Sequence, residues 1–85
     1  MKAPGPGNQE SRYFDDSYSE LVVVRDGVPV AYRAMGGPRP SDEARIAARI
    51  RELTGHAVTF GAWVFHDSPN PYDRDCEVPL HVREP

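Results

Sequence analysis

Face alternation constrains this chain more than its composition does. Three segments rich in strand-forming residues, Glu20–Arg25, Val28–Met35 and 57–66, do not sort into one apolar and one polar face. In the third, Val58, Phe60, Ala62 and Val64 share one parity while Trp63 and Phe65 share the other. A strand with one wet face alternates, so strands apolar on both sides predict cover on both sides. One helix pattern is present, and one helix covers one side. The expected architecture is a small α+β domain with a three- or four-stranded, mainly antiparallel sheet, ββαβ or ββαββ, and one helix on one face. The other face is expected to be covered by the chain's own tails or by a partner.

Local signals place the elements. Asp26-Gly27 between two Val-rich runs predicts a β-hairpin with a type I′ turn, which needs positive φ at both positions. A two-residue loop sets Arg25 opposite Val28, Val23 opposite Val30 and Glu20 opposite Arg33. Pro29 falls opposite Val24 with its missing N–H directed away from the hairpin partner, so the second strand is expected at an edge and the first inside. The inner strand is expected to pair with 57–66. Gly61 in that segment predicts a bulge or the close approach of another backbone. Residues 66–75 read as a loop and 77–83 as a short last strand, which Pro79 would confine to an edge.

Ser41 is the expected N-cap of the helix, Asp42 and Glu43 suit its first turn, and Gly55 is the expected left-handed terminator. Ile46, Ile50 and Leu53 recur at helical spacing and make one apolar stripe. Arg45 and Arg49 lie on its flank, each with an acid three residues away, Asp42 and Glu52, to neutralise it. Residues 1–12, with Pro4, Gly5, Pro6 and Gly7, predict a disordered tail, and 13–85 a single domain. The segment 13–19 mixes rings with acids and reads as a lead-in packed on the domain or as a docking peptide.

Length and charge bound the function. At 85 residues the chain has little core to offset its conformational entropy. The one cysteine, Cys76, cannot form an internal disulfide, and neither a leader peptide nor a membrane-spanning run is legible. These features predict a cytoplasmic protein. All but one of its ten basic residues are arginine, a codon bias expected of a GC-rich genome such as that of an actinobacterium or its phages. His66, Asp67, Asp73, Asp75, Cys76 and His81 supply ligand chemistry, yet none forms the close pairs a zinc site uses and no calcium-loop spacing occurs. No metal, cofactor or catalytic site is expected. Trp63, Phe65 and Tyr32 lack the interleaved cations that nucleic-acid stacking platforms carry. With a net charge of −3, the chain is expected to be a non-catalytic protein-interaction module. It would act as a small adaptor or modulator, as a homodimer or on a protein partner, with Trp63, Phe65 and Tyr32 at the contact. The alternative is a nucleic-acid-associated regulator using Arg39, Arg45 and Arg49.

Overall fold

The computed structural model describes residues 8–36, 38–66 and 75–83. Its strands are β1 (Gln9–Tyr13), β2 (Glu20–Arg25), β3 (Val28–Met35), β4 (Val58–Phe60), β5 (Val64–His66) and β6 (Asp75–Val82), with one helix, α1 (Glu43–Thr54), between β3 and β4. The class is α+β and antiparallel, but the sheet has six strands in the order β1-β2-β3-β6-β4, with β5 also on β6. Two departures account for the difference: the expected strand 57–66 is divided into β4 and β5, and a strand forms in the segment assigned to the tail. Residues 9–12, assigned to a disordered tail, form β1 and pair with β2 from Gln9↔Arg25 to Tyr13↔Leu21. Residues 1–7 and the loop expected over 67–74 lie outside the described residues.

The other misplaced element is β6. It lies inside the sheet, between β3 and the β4–β5 edge, where β2 was expected to meet 57–66. Cys76, Val78 and Leu80 are its buried alternate positions, so it carries the interior pattern. Pro79 is compatible with that place because its carbonyl accepts the Gly61 N–H at 2.8 Å. A strand residue points its N and O the same way, so the missing N–H also faces an irregular stretch rather than a regular ladder.

That irregular stretch decides which residues are inside. Phe60 pairs with Leu80 and Val64 with Glu77, so Gly61, Ala62 and Trp63 stand against only Val78 and Pro79. One extra residue is a bulge, and a bulge reverses which parity faces the core. Val58 and Phe60 before it, and Trp63 and Phe65 after it, therefore pack against one core under α1. Val64 faces outward. The segment that looked apolar on both faces is apolar on one face with a change of phase. Gly61 allows it: a Cβ there would lie 2.7 Å from Pro79 Cγ. Gly61→Ala should cost about 1–3 kcal/mol by overpacking, measured as a lower urea midpoint. Much of the loss should return when Pro79→Ala is added, and equal loss in both backgrounds would place the constraint elsewhere.

A second bulge displaces the hairpin register. Asp26 and Gly27 have φ of 52° and 81°, as a type I′ turn requires. Arg25↔Val28 and Val24↔Pro29 hold as expected, but Val23 then faces Ala31, Leu21 faces Arg33 and Glu20 faces Ala34, leaving Val30 as the extra residue. Pro29 and Tyr32 consequently share the core face. Pro29 lies beyond the last β3–β6 pair, Ala31↔Pro79, so its missing N–H meets no strand although β3 as a whole is internal.

The helix carries the predicted stripe. Ile46 and Ile50 have no exposed surface, and Ala47 and Leu53 pack beside them. Gly55 terminates it at φ 79° with its N–H on the Arg51 carbonyl. Its start differs, since Pro40–Asp42 winds as a single 3-10 turn and α1 begins at Glu43. Asp42 there accepts the Arg39 N–H at 2.9 Å, so it and not Ser41 closes the turn.

Candidate functional site

The helix-covered face is closed by aromatic and polar contacts. Trp63 stacks between Phe60 and Phe65 at centroid distances of 6.4 and 5.9 Å, and meets Tyr32 edge-on at 6.0 Å. Its indole N–H donates to Glu43 Oε2 at 2.6 Å, at the start of α1. Tyr32 is fully buried, and Trp63 and Phe65 are half-buried against the same cluster. The three rings expected at a partner surface thus sit in the intramolecular core, brought there by the two bulges. Tyr32 in particular has no surface to offer.

Two of the three arginines, Arg45 and Arg49, are brought together, each already engaged by groups of the chain itself. Arg45 pairs with Glu20 at 2.9 Å, across the sheet–helix boundary, and not with Asp42. Arg49 donates twice to the Phe14 carbonyl, at 2.8 and 3.1 Å, and lies 3.8 Å from the expected Glu52. Both guanidiniums line a shallow recess together with Asp15, Glu20 and Glu52. Arg39 is exposed on the segment before the helix. Cations answered by three carboxylates and a carbonyl make a poor phosphate cradle.

Glu20 ties the hairpin to the helix. Besides Arg45, it accepts the Tyr32 hydroxyl at 2.6 Å on the same carboxylate oxygen. Burial, then the hydrogen bond and charge of Glu20, hold the Tyr32 hydroxyl far above its ordinary value. Above about pH 10 the tyrosine of the unfolded chain loses its proton while the folded one keeps it. The native state then binds more protons, and stability falls as pH rises. Thermal melts should show this alkaline decline, and Tyr32→Phe should flatten it. An unchanged slope in that variant would assign the decline to other groups.

The opposite face of the sheet is where exposed apolar side chains gather. Cross-strand pairing places Tyr13, Leu21, Arg33, Glu77 and Val64 in one row across β1, β2, β3, β6 and β5. Arg33 and Glu77 form an ion pair at 2.9 Å in its centre. The next row holds Ser11, Val23, Ala31 and Pro79, and Val23 is only 7% exposed. An open cleft of about 470 Å³ lies at one end, lined by Tyr13, Tyr18, Leu21, Met35, His66 and Asp75 among others. Tyr18 and Met35 are 65% and 55% exposed.

Tyr18 is held there by its loop. Asp15 accepts both the N–H and the hydroxyl of Ser17, which keeps its carboxyl below the usual aspartate range. The turn carries Tyr18 at φ 59°, a left-handed conformation unfavourable for a bulky residue. Its ring meets Tyr13 edge-on at 5.0 Å. The sequence pattern marked 13–19 as aromatic and acidic, but not that its two tyrosines meet over the sheet.

Cys76 is buried on the core side of β6. Among the described residues no three acidic, histidine or cysteine side chains converge as a metal site requires, and no helix is long and apolar enough to cross a membrane. Asp67 and Asp73 lie outside the described residues. The chain matches no known family profile, and no curated protein or solved structure shows significant similarity to it.

Proposed function

We propose that the protein is a non-catalytic protein-interaction module whose contact surface is the open face of the sheet around Tyr13, Tyr18, Leu21 and Met35. The observation that carries this reading is the clustering of exposed large side chains over one cleft, on a face that no other described element covers. Tyrosine and methionine are enriched at protein contacts, where they bury much area and adapt to shape. Tyr18 adds a second argument, because backbone strain maintained at an exposed ring is the kind of feature function retains. Arg33 and Glu77 supply a polar centre that orients a partner without a net charge of its own. The role that fits is an adaptor or modulator working by contact.

The test is a double substitution of exposed residues. Tyr18→Ser with Met35→Ser should leave the melting temperature within a few degrees, because neither side chain supports the core. Quantitative cross-linking in cell extract should then show at least one partner captured by the wild type and lost from the variant. An identical set of cross-linked partners would remove the open face as the contact surface. Capture that vanishes with modest added salt would instead favour nucleic acid.

A further inference from the structure

The outer edge of β1 carries its own specificity. Asn8 accepts the Asp26 N–H and Phe14 donates to the Glu20 carbonyl, both at 2.9 Å. In an antiparallel pair the hydrogen-bonding direction alternates residue by residue. The even positions of β1 therefore face β2, and Gln9, Ser11 and Tyr13 direct their N–H and C=O outward. No other described strand pairs with that side. Native edges are commonly protected by proline, by bulges or by charged side chains. β1 has neither proline nor bulge, its register with β2 being unbroken, and its two charges, Glu10 and Arg12, are of opposite sign, so they turn away an uncharged strand but suit a second copy of this one. The other edge of the sheet is interrupted by the Gly61–Trp63 bulge.

We infer that this edge pairs with β1 of a second copy of the chain, antiparallel, about a two-fold axis through Ser11. That register sets Ser11 opposite Ser11 of the other copy and Gln9 opposite Tyr13, so each outward N–H meets an outward carbonyl. It also sets Glu10 opposite Arg12 of the other copy, twice by symmetry, at a position without backbone bonds where facing side chains approach most closely. A two-fold contact needs a self-complementary surface, and a Glu-x-Arg strand centred on the axis is one. Glu10 and Arg12 already bond within the chain at 2.7 Å, and both remain exposed enough to reach across. The axis stands perpendicular to the sheet, so both helices lie on one side and the two open faces join into one surface. The inference rests on the β1 edge alone and does not require the open face to bind anything. One strand pair is a small contact, so the dimer is expected to be weak and dependent on concentration.

Sedimentation of the full chain over increasing concentration tests the inference. The wild type should pass from monomer to dimer. Glu10→Arg alone and Arg12→Glu alone should each weaken self-association at least tenfold, while a mixture of these two variants should form a heterodimer with the opposite charges restored. Arg12 also donates to the Leu53 carbonyl at the end of the helix, so circular dichroism must confirm that its variant folds. Ser11→Pro provides a second route, since it removes only an outward N–H and spares every bond to β2. Amide exchange supplies the site: Gln9, Ser11 and Tyr13 should gain protection with concentration, whereas Glu10 and Arg12 should be protected throughout. A chain that stays monomeric, or odd-numbered amides indifferent to concentration, would overturn the inference. A dimer abolished by Tyr18→Ser with Met35→Ser but untouched by Glu10→Arg would overturn it too, while supporting the open face.

Discussion

Trp63→Ala should destabilise the fold by about 3 kcal/mol, the low end of the range for a large aromatic because the ring is only half-buried. The loss has two parts. The indole fills the space between Phe60 and Phe65 and touches Tyr32, and its N–H bonds Glu43. Removing it opens a void beneath α1 and leaves Glu43 to water. Chemical denaturation followed by circular dichroism measures the change. Trp63→Phe should recover about half, keeping most of the stacking but not the hydrogen bond. A substitution that alters association and leaves the melt nearly unchanged would assign the ring to a partner contact instead.

Ile50→Ala should cost roughly 2–5 kcal/mol, the range for truncating a fully buried aliphatic side chain. Ile50 has no exposed surface and sits mid-stripe on the one helix that closes the core. In so small a domain this loss is a large share of the stability, so the variant is best measured in a stabilising osmolyte. Arg45→Ala on the neighbouring flank should cost no more than about 1 kcal/mol, since the arginine is half exposed although paired with Glu20. A larger loss from Arg45 than from Ile50 would mean that the helix is held by its ion pair and not by its stripe.

These two residues mark where local pattern is a good guide and where it fails. The Ile46–Ile50–Leu53 stripe, the left-handed Gly55 and the positive-φ Asp26-Gly27 turn are legible because each depends on residues a few positions apart. Gly61 also announced a close approach, and its partner proved to be Pro79. The Trp63 face was misread for a physical reason. Period-two alternation reports faces only while the register is unbroken, and one extra residue reverses every side chain beyond it. The Val30 bulge did the same to the hairpin, moving the partner of Glu20 from Arg33 to Ala34.

The candidate site was less legible than the fold. Tyr13 and Tyr18 stood out as aromatic residues among acids, but Leu21, Met35 and Val64 join them only once β1, β2, β3, β6 and β5 are laid side by side. The polar tail residues 9–12 gave no sign of a strand, because β1 forms by hydrogen bonding to β2 and by the Arg12 contact with Leu53, not by burying an apolar face of its own. Sequence alone determined the α+β class, the hairpin turn, the C-terminal limit of the helix and the buried helix face, all properties of short-range spacing. Tertiary structure decided strand order, the phase of each face after its bulge and the partners of Arg45 and Arg49, because these depend on which distant backbone lies alongside.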